Sequence, residues 1–91
     1  MDKWQIVFYQ TARGEELVRK VISKLDDKYR AKVYLQIGLL KEHGLNLPLP
    51  YLKKLSGTKN LWELRISSYR IFLSPLVNKH LLLLHMIAKK T

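Results

Sequence analysis

The chain reads as a small α+β domain: one strand, a helical hairpin, then a meander of three antiparallel strands, with the helices on one face of the sheet. Three observations point there. Apolar residues recur at helical spacing between Gly14 and Gly44, they alternate at strand spacing from Leu61 to Ala88, and the connections in that second stretch are too short for anything but antiparallel pairing. Ninety-one residues suffice for a single domain, 1–91, with one core. The composition, 47% hydrophobic and 26% charged, is that of a folded protein.

The elements follow in order. Trp4 to Tyr9 is a β-rich run bounded by polar residues and reads as the first strand. From Gly14 to Leu25 the residues Leu17, Val18, Val21, Ile22 and Leu25 share one helical face, and Glu15 and Glu16 suit the positive end of the helix dipole. Asp26 or Asp27 offers a cap to a second helix, which turns Val33, Ile37 and Leu40 inward and stops at Gly44. Leu45 to Pro50 carries two prolines, cannot continue a helix and reads as an extended connection. Tyr51 to Leu55 is short and ambiguous, and Ser56 to Asn60 has turn chemistry around Gly57. Leu61 to Ile66, Tyr69 to Ser74 and His80 to Ala88 are the three meander strands, joined at Ser67-Ser68 and by a turn from Pro75 to Lys79.

Side chains alternate along a strand, so the pattern also assigns faces. Trp62, Leu64 and Ile66, with Tyr69, Ile71 and Leu73, belong against the helices. Glu63, Arg65, Arg70, Phe72 and Ser74 then share the other face. On the last strand the set His80, Leu82, Leu84, Met86 and Ala88 is taken as the core set, which sends His85 and Lys89 outward. Arginine offers a rigid fork of donors suited to phosphate, and Phe72 is placed to stack on a base. The plainer alternative is a solvated sheet face with an ion pair from Glu63 to Arg65 or Arg70.

Charge narrows the partners. The net charge is +10, and it is uneven. Residues 1–50 hold nine basic and six acidic groups, a net +3, whereas residues 51–91 hold eight basic groups against Glu63 alone, a net +7. Such a patch attracts polyanions by steering and counterion release. The chain contains no cysteine, so disulfides and thiolate metal sites are excluded. No glycine-rich phosphate loop or HExxH motif occurs, and His43, His80 and His85 lack zinc-ligand spacing; no cofactor is expected. The opening MDKWQIVFYQ does not read as a signal peptide, and no apolar run approaches a membrane span, so a cytoplasmic protein without membrane contact is expected.

The succession YLKKLSG, LWELR, SYRIFLSP and LLLLHMIAKKT resembles the HigB-like branch of the RelE/ParE toxin superfamily, and the match extends over nearly the whole chain. The resemblance implies a RelE-like β-α-α-β-β-β fold and the toxin of a type II toxin–antitoxin system. Its activity would be that of a ribosome-dependent endoribonuclease which cleaves mRNA without a metal, by attack of the 2′-hydroxyl on the adjacent phosphate. Its implied partners are a cognate antitoxin, a small helix-turn-helix protein of the HigA kind, together with the ribosome and mRNA. Arg70, in SYRIF, matches the superfamily's strand arginine and is expected to hold the scissile phosphate. Arg65 and Glu63 belong to the branch's ELR signature, His85 takes its LLH position and suits proton transfer, and Lys90, with Lys89 as alternate, stands near a late-strand arginine. Lys53, Lys54, Phe72 and Lys89 are the expected RNA-binding residues.

Two departures matter. Where well-studied nucleases of the superfamily carry strand lysines, this chain has Leu61 and Glu63, so Glu63 is either the general base or the group that aims the arginines, with the aiming role ahead. Relatives also continue past the KKT motif into a terminal helix, which is absent from a sequence that stops at Thr91. Two further readings stay open on the sequence: an inhibitor of DNA gyrase of the ParE kind, and a non-catalytic nucleic-acid-binding remnant.

Overall fold

The computed structural model describes residues 3–89. Strand β1 (Gln5–Phe8) leads into helices α1 (Leu17–Ser23) and α2 (Asp27–His43), a single 3₁₀ turn at Gly44–Asn46, and strands β2 (Leu52–Lys54), β3 (Trp62–Ile66), β4 (Tyr69–Leu76) and β5 (His80–Ala88). The five strands form one sheet in the order β1-β5-β4-β3-β2. β2 to β5 are a continuous antiparallel meander, and β1 adds to the far edge parallel to β5, with Gln5 opposite His80 and Phe8 opposite Leu83. The ambiguous stretch after Pro50 is therefore a fourth meander strand; the helices carry the chain from β1 to β2 at the opposite edge, and the meander returns to bring β5 alongside β1.

Both helices cover one face of this sheet. Val18 and Ile22 of α1 and Val33, Ile37 and Leu40 of α2 are buried with Leu64, Ile66, Ile71, Leu73, Leu81, Leu83 and Met86. Trp62 and Tyr69 pack at the margin of the same core, and the Tyr69 ring meets Tyr29 of α2 edge-on at 5.7 Å. Removing a side chain such as Leu83 would cost about 2–5 kcal/mol, the usual range for a buried leucine.

Several local details depart from the sequence pattern for identifiable reasons. Helix α1 begins three residues after Gly14 because the Thr11 amide donates to Glu15 O at 2.9 Å, the Glu15 amide donates to Thr11 Oγ1 at 3.2 Å, and Gln10 bridges Glu16, which holds the acidic pair in a tight extended loop. Its C-terminal carbonyls are closed by Arg30 from α2, whose guanidinium donates to Leu25 O at 2.6 Å and Ser23 O at 3.2 Å. Pro75 does not end β4. It pairs with Leu81 beyond the start of β3, where its missing N–H breaks no ladder. The turn falls instead at Asn78 and Lys79, both with φ near +58° (58° and 57°), the conformation that a tight hairpin requires.

The last strand needs a correction. Leu81 and Leu83 are buried, not Leu82 and Leu84, yet Met86 is also buried. A bulge reconciles them: Leu73 pairs with Leu83 and Phe72 with His85, leaving Leu84 as the extra residue, so the phase of β5 reverses there. His85 accordingly faces the same side as Phe72. Gly44, with φ +55°, sits so close to the Trp4 indole that a Cβ would collide with the ring. Only glycine fits between α2 and the first strand. Among the described residues no helix is long and apolar enough to cross a membrane.

Candidate functional site

The sheet face away from the helices carries two cross-strand rows. In the first, Lys53, Glu63, Phe72 and His85 stand side by side on β2, β3, β4 and β5. In the second, Arg65 pairs with Arg70 and Arg70 with Ile87, while the Arg65 amide donates to Tyr51 O at 2.7 Å. The alternation of LWELR and SYRIF thus brings Glu63, Arg65, Arg70, Phe72 and His85 onto one surface. Antiparallel pairing sets them next to each other.

Glu63 is the centre of this arrangement and is only 7% exposed. Its Oε2 accepts a hydrogen bond from Arg65 Nε at 3.0 Å, and its Oε1 lies 3.9 Å from Arg70 Nε. Each carboxylate oxygen therefore faces one arginine. The two arginines offset the hydration that a carboxylate buried this way gives up. Arg70 is fixed from the other side as well: its Nη1 donates to Ser67 O at 2.8 Å and Tyr69 O at 2.9 Å, both carbonyls of the β3–β4 hairpin. Neither bond uses Nη2. The tight turn, with Ser67 at φ 54°, is what presents those carbonyls.

The remaining expected residues separate. Lys53 is exposed on the Glu63 row, whereas Lys54 pairs with Trp62 and belongs to the opposite side of the edge strand. Lys89 is exposed just past β5, its amide donating to Ser68 O, so it stands at the hairpin end near the arginines. His85 is exposed beside Phe72. Lys90 lies outside the described residues. No group of three or more histidine, aspartate or glutamate side chains gathers among the described residues as a metal-ligand set.

A cavity of about 600 Å³ opens beside the arginines, between α2 and the end of the β3–β4 hairpin. Lys32, Leu35 and Gln36 of α2 form one wall, and Pro50, Tyr51, Ile66 and Ser67 form the other, with Arg65 and Arg70 at the junction. The periodicity of α2 held a trace of this: Gln36 falls one position before Ile37, three after Val33, on the edge of the inward stripe where a polar residue is out of place.

Residues 20–91 match the model of the phage-derived protein Gp49-like family (DUF891). The chain belongs to this family. In structure, this Gp49-like domain is similar to a chain of the archaeal RelE–RelB complex from Pyrococcus horikoshii OT3, with a TM-score of 0.69 and 19% identity over 98% of this chain and 97% of the other. It is also similar to a chain of the RelB–RelE antitoxin–toxin complex from Methanococcus jannaschii, with a TM-score of 0.61 and 20% identity over 79% and 82% of the two chains. The Gp49-like domain thus has the RelE-like fold. No curated protein sequence matches it.

Proposed function

We propose that this Gp49-like chain is the toxin of a type II toxin–antitoxin pair and acts as a metal-free endoribonuclease on mRNA held in the ribosome, in the manner of the HigB-like branch. The observation that carries the reading is the Glu63 carboxylate buried between Arg65 and Arg70 on the helix-free face. A structural ion pair needs one arginine. Two arginines, fixed by one carboxylate and by hairpin carbonyls, make a preset cradle for a group bearing more than one anionic oxygen. The net +7 of residues 51–91 supplies the field that draws RNA to it.

In the reaction, the 2′-oxygen of one nucleotide attacks the neighbouring phosphorus as its proton passes to a base. The bond from phosphorus to the 5′-oxygen breaks, and that oxygen takes a proton, leaving a 2′,3′-cyclic phosphate and a 5′-hydroxyl. Arg70 neutralises the charge that grows on the non-bridging oxygens, and Arg65 assists. Glu63 aims the two guanidinium groups: with one oxygen hydrogen-bonded to Arg65 and the other facing Arg70 Nε at 3.9 Å, it is the positioning residue and not the base. His85, exposed on the same row, is the group placed for proton transfer, and Lys53, Phe72 and Lys89 hold the strand. The partners in this reading are the ribosome with its mRNA and a cognate HigA-like antitoxin; the complexes whose chains share this fold pair a toxin with an antitoxin.

Expression in cells lacking an antitoxin tests the proposal. Growth should stop, and primer extension should find mRNA cut within reading frames. Intact mRNA accompanied by a DNA-damage response would assign the chain to gyrase inhibition instead.

A further inference from the structure

Two buried side-chain atoms have no hydrogen-bond partner among the described residues, Gln36 Oε1 and Arg70 Nε, and both belong to residues lining the cavity beside the arginines. A buried polar atom left unpaired carries the full cost of its desolvation. Arg70 Nε is turned toward Glu63 Oε1, 3.9 Å away, so the unpaired acceptor that a ligand in the cavity would complete is Gln36 Oε1. At about 600 Å³, the space is within the usual range of about 300–1,000 Å³ for small-ligand sites. Its walls alternate in character: Leu35, Pro50, Tyr51 and Ile66 offer flat apolar surface, Gln36 offers an amide, and Arg65 and Arg70 stand where a phosphate would sit.

We propose that this cavity is a nucleobase subsite: it takes the base of a nucleotide whose phosphate lies on Arg65 and Arg70, and Gln36 Oε1 accepts a hydrogen bond from an exocyclic amino group. The inference rests on the nuclease reading for the identity of the arginine ligand. A glutamine amide is well suited to an adenine edge, which pairs an amino donor with a ring-nitrogen acceptor, and Tyr51 supplies a ring on which a base can stack. The subsite makes cleavage depend on the base beside the cut. A protein segment would also find apolar walls here, but the orphaned acceptor next to two phosphate-competent arginines favours a nucleotide.

The test uses the purified full chain and three probes: AMP, purine riboside 5′-monophosphate, which lacks only the exocyclic amine, and ribose 5-phosphate. AMP should bind roughly two- to tenfold more tightly than the purine analogue, the effect of one net hydrogen bond, and ribose 5-phosphate should bind most weakly. Gln36→Met should bring AMP down to the affinity of the analogue. Equal binding of AMP and the analogue, or a preference that survives in Gln36→Met, overturns the subsite; the first comparison needs no variant. Displacement of bound AMP by the analogue and by a glutamate-rich peptide with equal ease also overturns it. The two readings fail separately. A chain that prefers AMP yet cuts no mRNA keeps the subsite and rejects the nuclease, whereas cleavage without base preference does the reverse.

Discussion

The two faces of the sheet are built from the same strands and solve opposite problems. Against the helices, Leu64, Ile66, Ile71, Leu73, Leu81 and Leu83 are buried and gain their stability from area and packing. On the other face the best buried group of β3 is the charged Glu63, and its burial depends on Arg65 and Arg70. The first face would tolerate many apolar sequences of the right volume. The second tolerates few, because removing either arginine takes away part of the pairing that offsets the burial of Glu63. That contrast separates residues that make the fold from residues that make the site.

Substitutions on each face sharpen it. The largest effect on stability is expected from Leu83→Ala, which should lower unfolding free energy by about 2–5 kcal/mol in denaturant titration, with any loss of activity following the loss of folded protein. Glu63→Gln should cost less, about 1–3 kcal/mol, and should lower mRNA cleavage about tenfold while leaving the shape of the pH–rate profile intact. A general base would behave differently: its loss costs on the order of 10²–10⁴ in rate and removes a limb of the profile.

Lys53→Ala probes the rim of the polar face. It should leave melting unchanged and reduce the slope of RNA affinity against log salt by about 0.7, the value for one contact to single-stranded phosphate. The smallest effect is expected at Lys3, whose Nζ lies 2.9 Å from Glu42 at the end of α2. Hydrogen bonding and charge from Lys3 hold the Glu42 carboxyl below its ordinary range. A depressed carboxyl stabilises the fold above its unfolded value, and that contribution fades as pH falls through the folded value. Lys3→Met should therefore lower the melting midpoint slightly at neutral pH and not at all in strong acid.

Much of this was legible in the sequence where a period was clean. The alternation in LWELRISSYRIF assigned Leu64, Ile66, Ile71 and Leu73 to the core and the arginines to the other face, and the inward stripe of α2 was equally plain. The leucine run of β5 hid its bulge, because a phase reversal at Leu84 leaves no mark when every neighbour is a leucine. The burial of Glu63 was invisible for a different reason: whether a strand carboxylate is solvated depends on the side chains beside it, which only pairing between strands brings within reach. Gln36 joined the site through packing of α2 against the hairpin, a contact between elements far apart in the chain.

Cleavage of ribosome-held mRNA by purified protein, measured for the unaltered chain and for Arg70→Ala with melting curves taken on both, tests the central claim that the polar face does chemistry. The expected result is a loss of roughly a hundredfold to a thousandfold in rate, as for removal of one transition-state donor, at a temperature below the lowered melting midpoint of a variant that keeps Glu63 paired with Arg65 alone. Equal cleavage by two equally folded proteins would contradict it.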